Sequence, residues 1–115
     1  MEFKRADRVA ELIRSEISSI VQREISDPLL SMATITLVKL SDDLKNARVY
    51  FVCDSKRQKS AKKGFDRSLG FIKKQLSSRL KLRYMPRITF YYDDSFDYSS
   101  NIDKLLKEVK VEDDQ

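Results

Sequence analysis

Residues 33–53 read ATITLVKLSDDLKNARVYFVC, and this segment is the strongest indicator of the fold class. Two runs rich in β-branched and aromatic residues, 33–40 and 47–53, flank a polar connection. Such runs, bounded by turn-forming residues, are typical of β-strands. Alternate residues of the second run are apolar, with Arg48 and Tyr50 on the opposite face. The short polar connection predicts an antiparallel hairpin.

A helix is predicted before the hairpin. Apolar residues there recur at steps of three and four, which is the spacing of one helical face. They are Val9, Leu12, Ile13, Ile17, Ile20 and Val21. We expect this helix to end at Asp27-Pro28, because a residue before proline is disfavoured in the α conformation.

A second helical stripe follows the hairpin, formed by Phe65, Leu69, Ile72, Leu76 and Leu80. Gly70 interrupts it, which predicts a break or kink, although close packing of the helix on the sheet would also require a small residue. Residues 88–92 alternate as a third strand. A short last helix is expected at 102–109. Separately, Cys53, Phe51, Phe71 and Phe90 are expected in the core.

The element order is therefore α-β-β-α-(break)-α-β. We predict an α+β fold in which a three-stranded sheet carries its helices on one face. A chain of 115 residues fits one domain, which we place at residues 1–110. Residues 111–115 form a short acidic tail that we expect to fray.

Charge is distributed unevenly along the chain. The net charge is +5, but residues 56–92 contain 12 basic side chains and only one acidic side chain, Asp66. A positive segment of this kind favours a polyanionic partner over a merely solvated surface.

Composition also excludes several classes of function. There is no histidine, which removes the most common general base, and the single Cys53 cannot form an intrachain disulfide. The paired aspartates at 42–43 and 93–94 are better explained by turns and caps than by a metal. We expect no enzymatic activity, no cofactor, no metal and no membrane span, and a cytoplasmic protein.

The element order is that of a type II KH domain, and several short motifs extend the likeness. They are Ile25-Ser26-Asp27-Pro28-Leu29-Leu30, Thr34-Ile35-Thr36, Leu40-Ser41-Asp42-Asp43-Leu44, Ala47-Arg48-Val49-Tyr50-Phe51, Leu69-Gly70-Phe71-Ile72-Lys73, Leu80-Lys81-Leu82-Arg83-Tyr84-Met85-Pro86 and Ile88-Thr89-Phe90-Tyr91-Tyr92-Asp93. In this order and spacing the sequence resembles the ribosome-binding factor A family over about residues 4–108.

The resemblance implies a KH-like fold and a role in ribosome assembly. Its implied partners are 16S ribosomal RNA and the free, immature 30S subunit, without a small-molecule substrate. It also implies late 30S maturation, including 5′-end processing of 16S rRNA that the protein aids without catalysing, and a greater need in the cold. We expect a monomer.

The same resemblance implies a helix kink. Ordinary KH domains clamp nucleotides with a GxxG loop, which this chain lacks. The family has an Ala-x-Gly kink in its place, and the corresponding residues here are Ser68, Leu69 and Gly70. Serine in place of alanine still permits a bend, because its hydroxyl can bond back to a helix carbonyl.

Basic residues around and after this position are the predicted RNA-binding site, through contacts with phosphate. They are Lys62, Lys63, Arg67, Lys73, Lys74, Arg79, Lys81, Arg83 and Arg87. Tyr84, in a basic loop, is a candidate for base stacking. Charge reversal at Lys73, Lys74 and Arg79 is expected to weaken binding and to leave unfolding nearly unchanged, since exposed charges add little stability.

Two other functions remain as alternatives. The first is a protein-interaction adaptor that uses the sheet face or the acidic tail, and its binding would be insensitive to salt. The second is an RNA nuclease, which would require metal-binding carboxylates facing the basic surface. The acidic residues cluster elsewhere in the sequence, which disfavours the nuclease.

Overall fold

The computed structural model describes residues 4–95. These residues form an α+β fold, as predicted. The elements are α1 Arg5–Arg23, α2 Pro28–Ser31, β1 Thr34–Leu40, β2 Asn46–Val52, a 3-10 turn at Ser55–Arg57, α3 Gln58–Arg79 and β3 Arg87–Tyr92. The predicted C-terminal helix and acidic tail lie outside the described residues.

The β1–β2 hairpin is antiparallel, which confirms the prediction. Its turn is closed by the Asp43 carboxylate, which accepts hydrogen bonds from the Ser41 hydroxyl at 2.6 Å and the Lys45 N–H at 3.0 Å. These bonds hold the pKa of Asp43 below its usual range, the Ser41 hydroxyl having the largest effect. They also support Leu44 at a positive φ of 63°. The aspartate therefore acts in the turn, as expected.

The sheet has the order β1-β2-β3, with β2 and β3 parallel. Side chains alternate between its faces. On one face Val49, Phe51 and Phe90 are fully buried beneath the helices, whereas Arg48 and Tyr91 on the other face are exposed. The helices therefore cover one face of the sheet, as predicted.

Helix α1 buries most of its predicted apolar stripe, including Ile13, Ile17 and Ile20. The prediction that Leu12 belongs to the core is wrong, because 54% of this residue is exposed. Leu12 lies at the margin of the stripe and lines a groove beside Leu37 of the edge strand β1. The side chain therefore has packing partners on one side only.

The end of α1 also differs from the prediction. The helix ends at Arg23, and Pro28 begins the short helix α2. Proline is well suited to a first helical position, where its missing N–H has no partner to lose. Asp27 caps α2 by accepting a hydrogen bond from the Leu29 N–H at 3.0 Å. This turn places Leu30 in the core, where it is fully buried.

Helix α3 runs without interruption from Gln58 to Arg79, so the predicted break at Gly70 is wrong. A single glycine costs a helix only about 1 kcal/mol. The buried Phe65 and Ile72 anchor the turns on either side of it. Close packing does not explain Gly70 either, because a Cβ atom there would meet nothing within 4 Å.

The glycine that packs closely is Gly64, which sequence reasoning overlooked. A Cβ atom at this position would lie 3.0 Å from Cδ2 of the buried Leu30. The absence of a side chain therefore lets α2 and α3 approach each other. The apolar stripe did not mark this position, because Gly64 precedes Phe65 by one residue, a rotation of about 100° around the helix.

Three phenylalanines link α3 to the sheet. The ring of Phe65 lies 4.7 Å from that of Phe51 and 4.8 Å from that of Phe90, measured between centroids. Phe71 was predicted in the core, and this is wrong, because it is 41% exposed. It precedes the buried Ile72 by one residue, a rotation of about 100° around the helix. Cys53 is only partly buried and packs at the edge of the core.

Replacement of the two glycines of α3 by alanine should have opposite effects on the free energy of unfolding. Gly70→Ala should raise the free energy of unfolding by about 1 kcal/mol, because alanine favours the helix and the position is open. Gly64→Ala should lower it by about 1 kcal/mol or more, because the added methyl group crowds Leu30. Urea unfolding of both variants measures the difference. An equal gain at both positions would contradict the close packing assigned to Gly64.

Candidate nucleic-acid interface

The outward face of α3 carries aligned cations. Lys63, Arg67 and Lys74 are exposed and, with Gly70, recur at steps of four, three and four residues. Residues at these steps lie on one face of a helix, here opposite Phe65. We call Lys63, Arg67, Gly70 and Lys74 the α3 stripe. Its length is about 16 Å at the helical rise per residue.

Lys62 and Lys73 flank the α3 stripe on one side and are half-buried. The Lys62 ammonium donates hydrogen bonds to both carboxylate oxygens of Asp66, at 2.8 and 3.0 Å. An exposed ion pair of this spacing stabilises a helix by only a few tenths of a kcal/mol. Asp66 therefore reduces the local charge of Lys62 without locking the side chain.

Arg79 differs from the other predicted residues because it bridges α3 to α1. Its guanidinium donates to Glu16 Oε2 at 3.3 Å and also to Glu24. The arginine side chain is only 29% exposed, and both glutamates are similarly shielded. The expectation that Arg79 contributes little to stability is therefore revised. The long-range partners responsible are 63 and 55 residues away in sequence.

Lys81 and Arg83 lie at the end of the domain that holds the β1–β2 turn. They line a groove of about 650 Å³ together with Arg5 and Lys45, which sequence reasoning missed. Tyr84 belongs to the same groove, is 74% exposed and has the Arg83 guanidinium 5.5 Å from its ring centroid. We call this set the turn-end groove. Its cations come from three separate parts of the chain.

Arg87 lies on a third surface, the sheet face turned away from the helices. Two further cations share that face, Lys39 and Arg48, and both were missed. The signal for them is the two-residue alternation of the strands, which puts them opposite the core side. We define the open sheet face by the residues Lys39, Arg48, Tyr50, Arg87 and Tyr91.

A smaller groove of about 330 Å³ runs between the start of α3 and β3. Lys59, Lys62 and Lys63 line one side of it, and Tyr91 lies on the other side. We call it the β3-edge groove. Because Lys63 also belongs to the α3 stripe and Tyr91 to the open sheet face, the groove connects these two surfaces.

One carboxylate lies at the corner of the open sheet face. Asp93 accepts hydrogen bonds from the hydroxyls of Ser95 and Thr36, at 2.6 and 2.9 Å. The Ser95 hydroxyl, followed by that of Thr36, lowers the pKa of Asp93, and burial opposes this effect. The charge of Lys39 lowers it further, which places a negative charge near that lysine.

Charged groups all reach the surface in the part of the chain that the structure describes, where none is buried. Among residues 4–95 no helix is long and apolar enough to cross a membrane. The predicted site residues thus fall on three cationic surfaces and one structural bridge. The α3 stripe, the turn-end groove and the open sheet face each bring several exposed cations together, as binding to a polyanion requires.

Comparison with known proteins identifies relatives over nearly the whole chain. The family model described as ribosome-binding factor A matches residues 5–106. Ribosome-binding factor A of Syntrophobacter fumaroxidans is 45% identical over 113 residues, which cover 95% of this chain and 97% of the relative. Ribosome-binding factor A of Desulfatibacillum aliphaticivorans is 47% identical over 107 residues, which cover 91% of this chain and 87% of the relative.

Solved structures share the fold at lower identity. The crystal structure of ribosome-binding factor A from Thermus thermophilus matches with a TM-score of 0.70 at 22% identity, over 76% of this chain and 94% of that one. A homology model of the Thermus thermophilus factor, fitted into the electron microscopy map of its complex with 30S, matches with a TM-score of 0.65 at 21% identity, over 77% of this chain and 96% of that one.

The Arg79 bridge predicts a stability effect. Arg79→Ala should lower the free energy of unfolding by about 1–2 kcal/mol, because two shielded charge-assisted bonds are lost. Lys74→Ala, an exposed cation on the same helix, should change it by less than about 0.5 kcal/mol. Chemical unfolding of both variants makes the comparison. A double-mutant cycle with Glu24→Ala should show coupling, and independent effects of the two substitutions would refute the bridge.

Proposed function

The chain belongs to the ribosome-binding factor A family, and from this premise we propose that it is a ribosome-assembly factor that binds the immature 30S subunit through 16S ribosomal RNA. This is a family of ribosome-binding factors, and the chain is not an enzyme. The 30S subunit is favoured as the partner because the Thermus thermophilus neighbour was fitted into the map of a 30S complex.

The α3 stripe is the observation that supports RNA as the ligand most directly. Its three cations are exposed, lie on one helix face and make no ion pair within residues 4–95. Regularly placed cations neutralise phosphates and release counterions, which provides affinity without reading sequence. The function therefore rests on a phosphate-binding face rather than on a pocket.

Gly70 gives this face a second property. It lies between Arg67 and Lys74, and the space beyond its Cα is open. An RNA backbone can therefore approach the helix closely at this point, with cations on both sides. We propose that Gly70 serves this contact, in place of the clamp that a GxxG loop provides. Ser68 and Leu69, the other two residues of the predicted kink, lie on other sides of α3, and Leu69 packs against the core.

The remaining predicted residues take different roles in this proposal. Lys62 and Lys73 flank the phosphate-binding face, and Lys81 and Arg83 extend the contact into the turn-end groove. Arg87 contributes from the open sheet face. Arg79 acts as a positioning residue, because its bonds to two glutamates hold α3 in place on α1.

Such a factor would aid maturation by holding RNA rather than by cutting it. Bound to the subunit, it would favour an rRNA conformation whose 5′ end other nucleases can trim. Misfolded RNA escapes more slowly at low temperature, which would make the factor most needed in the cold. We propose that it acts in the cytoplasm as a monomer, with residues 1–110 as the RNA-binding domain and 111–115 as an acidic tail.

A protein-interaction adaptor is the second candidate function. The observation that favours it is the groove between α1 and β1, where Leu12 and Leu37 are 54% and 43% exposed. Apolar side chains at a free sheet edge can contact another protein. Binding through this groove would depend little on salt, in contrast to binding through phosphates.

Neutralising the α3 stripe tests the proposed function. The variant Arg67→Gln with Lys74→Gln should bind 30S subunits more weakly, and the slope of log affinity against log salt should fall by about two, one for each lost contact. Co-sedimentation across a salt series measures both quantities. Unfolding should be almost unchanged, because both side chains are exposed.

The matched control is Arg8→Gln with Arg23→Gln. These two arginines are exposed on α1, and their loss changes the net charge by the same amount. The control should retain the affinity and the salt slope of the parent. If both pairs weaken binding equally, total charge rather than the α3 stripe accounts for it, and the assignment fails.

A further inference from the structure

We propose that the open sheet face is a second RNA-binding surface, on which unpaired bases of single-stranded RNA stack against Tyr50 and Tyr91. This inference rests on the proposed function only because it takes RNA as the partner. It adds a different chemistry, base stacking instead of phosphate contact, on a face to which the proposed function assigns only Arg87. No described residue covers this face of the sheet.

The two tyrosines form a continuous aromatic surface. They pair directly across the parallel strands β2 and β3, with ring centroids 5.7 Å apart and ring planes inclined by 30°. Leu37 pairs with Tyr50 on the other side and extends the row to β1. Rings on adjacent strands of a sheet offer neighbouring stacking sites, as in the sheet platforms that bind single-stranded RNA.

These rings are not required for the core. The core aromatics Phe51, Phe65 and Phe90 contact one another on the helix side of the sheet. Tyr91 is 41% exposed, and Tyr50 is half-buried. Within residues 4–95, both rings therefore lie outside the core cluster, on the solvent side of the sheet.

Cations surround the aromatic row. Lys39 and Arg48 pair across the strands in the adjacent row, and Arg87 lies one row further, at the start of β3. Against these three charges stands Asp93 at the corner, which lies near Lys39. The face keeps an excess of positive charge, and this favours a polyanion that also presents flat rings. Single-stranded RNA meets both conditions.

The Lys39 ammonium lies 5.8 Å from the ring centroid of Tyr50. A lysine has a flexible stem, so a base can displace the ammonium from the ring while the charge moves to a phosphate. Tyrosine and arginine are also enriched at protein interfaces, where lysine is depleted. The net positive charge of the face beside its two rings, rather than its residue types alone, is therefore what favours RNA over a protein partner.

The β3-edge groove supplies a path between the two surfaces. Lys59, Lys62 and Lys63 lie on its helix side, and Tyr91 lies on its sheet side. A strand bound along the α3 stripe can therefore pass the edge of β3 and continue onto the open sheet face, with cations along the whole route. One RNA segment would then contact both faces of the domain.

An abasic oligonucleotide separates stacking from phosphate contact. We compare a fluorescein-labelled single-stranded RNA decamer with an abasic decamer that has the same number of phosphates, by fluorescence anisotropy. The parent protein should bind the base-containing RNA at least tenfold more tightly. Equal affinity for the two by the parent would overturn the inference, without the need for any variant.

Substitutions then assign the effect to the two rings. Tyr50→Thr with Tyr91→Thr keeps β-branched residues in the strands and should reduce the preference for bases about tenfold or more. Tyr50→Phe with Tyr91→Phe should retain it, because the ring and not the hydroxyl carries the contact.

The outcomes distinguish this inference from the proposed function. If the threonine variant, folded by circular dichroism, keeps the full preference for bases, the stacking surface is refuted. If it binds RNA as the parent does and loses only 30S binding, the face contacts a ribosomal protein instead, and the inference also fails. Loss of binding in the Arg67 and Lys74 variant alone would support the proposed function and leave the sheet face without a role.

Discussion

The packing of Phe65 between Phe51 and Phe90 is the contact on which the other features of this domain depend. It joins α3 to the two strands that precede and follow it in the chain, and it fixes the rotation of the helix about its own axis. Because Phe65 points inward, residues 63, 67, 70 and 74 must point outward. The outward position of the cationic face is thus a consequence of the core, because a one-residue shift in the helical register would turn that face by about 100° around the helix axis.

The same packing explains why a single basic segment produces several surfaces. Residues 56–92 contain 12 of the 23 basic side chains, and the chain reverses direction between α3 and β3 within this segment. Cations on α3 face outward from the helix layer, those after it reach the turn-end groove, and Arg87 faces away from the sheet. Cations therefore lie on several faces of the domain and can attract a polyanion to each of them. The adjacent rings of Tyr50 and Tyr91 distinguish the open sheet face from the other faces.

The periodicity of the sequence was sufficient to predict the main helices and strands, but it was insufficient to predict which residues of other elements they contact. The hairpin and the apolar stripes of α1 and α3 could be predicted, because burial on one side leaves a repeat of two or of three to four residues. Leu12 was misplaced because the margin of an apolar stripe depends on the neighbouring element. Phe71 was misplaced although it lies about 100° around the helix from the buried Ile72, which the helical repeat could have shown. Gly70 does not break α3, because the helix is anchored by packing on both sides of it.

The candidate site shows the same limit. The basic segment marked the stripe on α3 correctly as a group of exposed cations, but it could not separate Arg79, whose glutamate partners come from α1. It also could not bring in Lys39 and Arg48, which lie in a region of the sequence with balanced charge and join Arg87 only through strand pairing. Contacts between distant residues are a property of the fold and have no local signal in the sequence.

The central claim, binding to the small subunit through RNA phosphates, is tested most directly by co-sedimentation of the full chain with purified 30S and 50S subunits across a salt series. We predict selective binding to 30S subunits that weakens steeply as salt rises, because phosphate contacts release counterions. Binding to neither subunit, equal binding to both, or 30S binding that is insensitive to salt would contradict this account.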